Sequence, residues 1–214
     1  MRKPAKRSLL WLISAISLTR VQAQETPLPS IKHRFVVIAH RGSHLRAPEN
    51  SLAACREAIA LGVDYVEIDL RTTQDSQLVL MHNADIMEMT GRPGKLSQMT
   101  CDSLRRNLIR NPGQPSAPFD SIPLFEQVLA LCRNRINIYL DFKDASVQQA
   151  YAAIKKAGMT HQVVVYINSP AQYRSWKKIA PEIPLMISLP EKAHTVPALL
   201  QLTDSLRPAI LDGN

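Results

Sequence analysis

Hydrophobic positions in this chain fall into short continuous runs separated by segments with helical spacing. Residues 35–39 (Phe-Val-Val-Ile-Ala) are apolar throughout. A run of this kind predicts a strand buried on both faces, as in parallel sheets. It ends in His40-Arg41-Gly42, and a loop leads to Asn50 or Ser51, either of which can cap a helix. Ala54, Ala58 and Leu61 keep helical spacing up to Gly62, a natural stop. A second strand runs through Val66–Leu70, so the order strand, helix, strand implies a right-handed crossover and a parallel pair. Residues 84–121 break the rhythm. They are rich in Gly, Pro and polar residues, with one helical piece expected near 100–109, and read as an insertion over the strand ends. Alternation then resumes, with helices at 122–133, 146–157, 170–180 and 195–206 and strands at 136–142, 163–167, 185–189 and 209–211.

Repeated β-then-α order predicts an α/β domain with a parallel sheet. A TIM-type (β/α)8 barrel has eight strands over typically ~250 residues. This chain has 214 residues and a pattern for about six β/α units. The expected fold is therefore a TIM-type barrel that is C-terminally incomplete, with an insertion after strand 2 and open sheet edges at both ends.

The most informative polar pattern lies in VEIDLRTTQDSQLVLMHN, residues 66–83. Glu67 and Asp69 are two apart in a strand and so share a face, while Val66, Ile68 and Leu70 pack behind them. A turn at residues 73–76 leads to a second extended run that delivers His82. Barrel sites form at the C-terminal ends of strands. There the chain places His40 and Arg41 after strand one, Glu67 and Asp69 in strand two, and Asp141 and Lys143 after strand three. Three carboxylates offer only oxygen ligands, which favours Mg²⁺ or Ca²⁺ over zinc. Arg41 can grip phosphate through a bidentate fork and Lys143 adds a point charge. Two histidines allow one base and one acid. The chemistry such a set suits is phosphoryl transfer.

Composition changes the picture in two places. The formal charge is +8, yet residues 1–23 hold five basic residues and no acid, so +8 less five leaves +3 for the rest. That small excess, with no dense Lys/Arg stripe, argues against nucleic acid as a partner. The same residues 1–23 place basic groups before an apolar run and small residues near Ala23, the pattern of a signal peptide. The expected organisation is a signal peptide at 1–23, a Pro-containing linker at 24–34, and one domain at 35–214 with 84–121 as its insertion. The protein is then exported, either periplasmic or secreted. Cys55, Cys101 and Cys132 have no metal-like spacing and are expected as buried free thiols, with one disulfide as the alternative.

These residues carry a resemblance to the glycerophosphodiester phosphodiesterase family. The matching motifs are His40-Arg41-Gly42, Pro48-Glu49-Asn50-Ser51, Gly62-Val63-Asp64-Tyr65-Val66-Glu67-Ile68-Asp69, Thr73 with Asp75, and Val79-Leu80-Met81-His82. Asp141-Phe142-Lys143 stands where the family usually has Glu-x-Lys. The resemblance implies metal-dependent hydrolysis of glycerophosphodiesters, small-molecule phosphodiester substrates, to glycerol 3-phosphate and an alcohol. By it, His40 and His82 are the acid/base pair and Glu67, Asp69 and Asp141 hold one divalent cation, Mg²⁺ or Ca²⁺. Arg41 and Lys143 grip the phosphate. It also implies that the substrate's glycerol hydroxyl can attack first, giving a cyclic phosphate.

Two local departures stand out. Asp141 is a methylene shorter than the usual Glu, and Asn83 stands where Asp is common, keeping an acceptor without its charge. Two further readings remain. A phospholipase-D-like relative would act on lysolipids through transient membrane-lipid contact, with Ile86, Met87 and Met89 as an apolar lip. A truncated barrel would be an inactive phosphate-binding remnant. The residues leave the oligomeric state open.

Overall fold

A computed structural model describes residues 26–111, 113–189 and 195–212. The segment 1–23 expected as a signal peptide lies outside the described residues. Strand β1 (Ile38–Ala39) is followed by α1 (Leu52–Leu61), β2 (Tyr65–Thr72) and β3 (Leu78–Leu80). The insertion holds α2 (Met87–Thr90), a 3₁₀ turn (Leu96–Gln98), α3 (Cys101–Arg105) and a ribbon of β4 (Leu108–Ile109) and β5 (Asp120–Ser121). Then come α4 (Phe125–Cys132), β6 (Asn137–Phe142), α5 (Val147–Lys156), β7 (Val163–Ile167), α6 (Pro170–Ile179), β8 (Leu185–Ser188), α7 (Val196–Leu206) and β9 (Ile210–Asp212). Six strands form one parallel array in the order β1-β2-β6-β7-β8-β9, and β3 folds back antiparallel on β2. The sheet curls into a half-barrel with its helices outside.

Side-chain alternation sorts the strands into two faces. Val66, Ile68 and Leu70 of β2 join Leu140, Phe142, Val165 and Leu185 in a dry core against α1, α4, α5 and α6. Trp176 of α6 is fully buried there, edge-on to Phe142 with ring centroids 5.3 Å apart. The opposite face carries Tyr65, Glu67 and Asp69, continued by Tyr139, Asp141, Tyr166, Met186 and Ile210 in register. It lines the concave side, where an apolar cavity of about 500 Å³ opens.

Helix starts follow their caps. Ser51 accepts from the Ala54 N–H at 3.0 Å, so Ser51, and not Asn50, caps α1, and Gly62 ends it at φ 74°. Ser146, Ser169 and Thr195 cap α5, α6 and α7 in the same way. Among the described residues no helix is long and apolar enough to cross a membrane.

Three expectations need correction. The first strand is two residues long, and Phe35 and Val36 are 75% and 52% exposed. Among the described residues β1 is an edge strand that pairs with β2 alone, so little packs around the run that leads into it. Residues 26–34 are no free linker. They lie across the N-terminal ends of the strands, where Asp64 accepts from the Lys32 N–H at 2.6 Å and Asn137 donates to the Ser30 carbonyl at 2.7 Å. The insertion is also more structured than one helical piece. Val79, Met81, Ile86, Met89, Leu96, Leu104 and Ile122 give it a small core of its own. All three cysteines are buried free thiols.

Candidate active site

The turn after β1 builds the first wall. Arg41 and Gly42 both take positive φ, 54° and 83°. A Cβ on Gly42 would meet the Ala54 Cβ at 2.6 Å, so the close approach of this turn to α1 demands glycine. The turn presents the Arg41 N–H to Glu67 Oε2 at 2.6 Å. The Arg41 guanidinium meets both oxygens of Glu49 at 3.0 and 3.1 Å, and its Nε lies 3.7 Å from Asp69. The carboxylates that surround Arg41 hold its fork at the edge of the site.

Pairing of β2 with β6 sets Asp69 directly opposite Asp141. Oxygens of Glu67, Asp69 and Asp141 all lie within 4.8 Å of one another. Burial and the neighbouring Asp69 charge push the Glu67 carboxyl up to about 8. Three crowded acids, two of them buried, need positive charge. Lys143 supplies part of it, 3.0 Å from Asp69 Oδ1 and hydrogen-bonded to Asp141. Burial disfavours that ammonium, but Asp141 and Asp69 outweigh it and raise its pKa. A hard divalent cation fits this all-oxygen donor set.

His40 lies with Nε2 4.0 Å from Glu67 Oε2 and its side chain 68% exposed. Its partial burial and the Arg41 charge lower its pKa, against the pull of Asp69 and Glu49. His82 reaches the same strand end because the Met81 N–H bonds the Asp69 carbonyl at 3.1 Å. Its carbonyl accepts two N–H groups of Arg71, at 2.9 and 2.7 Å, and its Nδ1 lies 2.9 Å from Asn83 Oδ1.

His40, Arg41, Glu67, Asp69, Asp141 and Lys143 thus converge, with His82 arriving from β3. The structure adds residues that sequence reasoning passed over. Asn50, at φ 52°, donates to Asp69 Oδ2 at 2.8 Å and accepts from the Asp69 N–H at 3.0 Å. Asn168, after β7, donates to Asp141 Oδ1 at 2.7 Å. In the sequence Asn50 belongs to Pro48-Glu49-Asn50-Ser51 and offers only a candidate helix cap. Asn168 follows a strand's C-terminal end, and that position was the available signal.

A curled parallel sheet with three clustered carboxylates, able to hold a cation, and basic groups at its strand ends defines a half-barrel of the TIM type. The sequence pattern of the Glycerophosphoryl diester phosphodiesterase family matches residues 40–205, and the chain belongs to that family. Human Glycerophosphodiester phosphodiesterase 1 is 34% identical over 173 residues, covering 74% of this chain and 50% of the human protein. The chain therefore spans about half the length of that relative. A glycerophosphodiester phosphodiesterase from Agrobacterium tumefaciens superposes with a TM-score of 0.73 at 23% identity, covering 82% of this chain and 74% of that one. An Oleispira antarctica phosphodiesterase, solved in complex with the product sn-glycerol-3-phosphate, superposes with a TM-score of 0.68 at 21% identity, over 86% of this chain and 75% of its own. At these identities both structures speak to the fold.

Proposed function

We propose that the chain hydrolyses glycerophosphodiesters to glycerol 3-phosphate and an alcohol, using one divalent cation, Mg²⁺ or Ca²⁺. The observation that carries this reading is the carboxylate trio Glu67, Asp69 and Asp141, set within 4.8 Å and flanked by basic groups. Those three would hold the cation, which supplies compensation for charge developing on the phosphate. Arg41 and Lys143 bind and orient the phosphate oxygens. His40 and His82 divide the proton work: one takes the proton from the attacking glycerol hydroxyl while the other gives one to the departing alcohol, and water then opens the cyclic phosphate to glycerol 3-phosphate with the two roles reversed. In this reading residues 1–23 direct export and residues 84–121 cap the pocket.

The lysolipid reading loses support from the insertion. Ile86 and Met89 are 1% and 3% exposed and belong to its core, which leaves only Met87 of the three on the surface. A water-soluble diester suits this rim better. In a direct comparison, glycerophosphocholine or glycerophosphoethanolamine should turn over faster than a lysolipid, and His82→Ala should reduce turnover by at least ~10²-fold. Equal turnover by His82→Ala would discard the two-histidine mechanism, and preference for the lysolipid would reverse the substrate assignment.

A further inference from the structure

His82 has two nitrogens, and the proposed proton transfer needs the right one free. Its Nδ1 lies 2.9 Å from Asn83 Oδ1, and the Asn83 Nδ2 donates to Glu88 Oε2 at 2.7 Å. An amide can present either its oxygen or its NH₂, so Asn83 by itself would accept either ring tautomer. An ionised carboxylate only accepts. Glu88 therefore obliges the NH₂ of Asn83 to face it and turns the amide oxygen toward the ring. That oxygen also only accepts, so the ring nitrogen opposite must carry hydrogen.

We propose that Glu88 is a positioning residue which, through Asn83, locks His82 in the tautomer protonated at Nδ1 and leaves Nε2 to take and return the proton. This inference rests on the reading of His82 as part of the acid/base pair. Glu88 lies in α2 of the insertion, and its backbone is well held. Ile86 and Met89 on either side are buried, the Thr90 hydroxyl donates to the Ile86 carbonyl at 2.7 Å, and the Gly91 N–H closes on the Met87 carbonyl at 2.8 Å. The other end of the relay is equally fixed, because Arg71 grips the His82 carbonyl and is itself paired with Asp144 at 2.5 Å. The insertion thereby reaches the proposed chemistry through two hydrogen bonds. The neutral Asn83 transmits orientation without adding the charge that an aspartate there would bring.

The test is long-range ¹H–¹⁵N NMR on the ¹⁵N-labelled full chain, with His82 assigned by the signal lost in His82→Gln. Above its titration range the parent should show His82 protonated at Nδ1 and bare at Nε2. Glu88→Ala should lose that preference and lower kcat by ~10-fold or more with KM nearly unchanged, as wrong-tautomer and supporting-shell variants do. Glu88→Gln keeps a carbonyl that can accept from the Asn83 NH₂, and should restore both the tautomer and most of the turnover. A parent protonated at Nε2, or a Glu88→Ala variant with unchanged tautomer and kcat, overturns the relay. A parent with the expected tautomer, lost in Glu88→Ala, but with no turnover of any diester upholds the relay and overturns the phosphodiesterase reading instead.

Discussion

Asn50 shows how much of the site depends on groups that carry no charge. It clamps Asp69 at both the carboxylate and the N–H, and so fixes one of the three acids before any cation arrives. Asn50→Gly removes the clamp while tolerating the positive φ of that position. Cation affinity measured by calorimetry is expected to fall roughly 10–100-fold, the usual loss for an outer partner of a metal ligand. Glu67 makes a second expectation. With its carboxyl pushed up to about 8, it is largely protonated at neutral pH, and a cation must displace that proton. Affinity should rise with pH, by up to about tenfold per unit below 8, and then level off. Calorimetry at three pH values in that range, in buffers of different ionisation enthalpy, would also count the proton released. A pH-independent affinity contradicts the crowded-acid description.

Among the elements, the N-terminal floor and the helical layer carry distinct stability. Burial opposes the charge on Asp64, but the N–H groups of Lys32 and Val37 and the His33 ring outweigh it and hold its carboxyl at about 2. A carboxyl depressed below its unfolded value of 3.8 contributes stability that is present above about pH 4 and lost as pH falls towards 2. Thermal melts should show that acid limb in the parent and a weakened one in Asp64→Asn. In the outer layer, Trp176→Ala should cost about 3–5 kcal/mol by emptying the space against Phe142. Denaturant unfolding checks this figure.

Much of this element level was legible in the sequence. Ser51 to Gly62 and residues 163–167 are legible through a cap and stop and through an unbroken apolar run. The acids of the site were legible for a related reason, since the two-residue spacing of Glu67 and Asp69 fixes their shared face. Less could be read where contacts run far along the chain. Asn50 and Asn168 find Asp69 and Asp141 only through sheet register and turn geometry. The insertion's apolar residues are scattered too sparsely to show that they form a core. The run at 35–39 reads as buried because sequence does not reveal which flanks are covered.

At the scale of the molecule, the half-barrel leaves its concave face open. Tyr65, Val164, Met186 and Ile210 line an apolar cavity of about 500 Å³, and β1 and β9 each pair on one side only among the described residues. Open edges beside apolar surface invite association. Val36 and Ile38, 52% and 42% exposed, mark that rim. Replacing both with Lys should lower light scattering on concentration while leaving Tm nearly unchanged. A large fall in Tm would show that these side chains are buried in solution. The site's carboxylates, Arg41, Lys143 and both histidines all lie within residues 40–143, on β1, β2, β3 and β6 and the turns that follow them. In the proposed function this set, on this chain, performs cation-dependent diester hydrolysis. Its most direct test is release of glycerol 3-phosphate from glycerophosphoethanolamine by the purified protein, before and after a chelator and again on return of Mg²⁺ or Ca²⁺. The expected result is release that chelation abolishes, that added cation restores, and that Asp141→Asn reduces. No release with either cation, or release indifferent to the chelator, would rule out that chemistry.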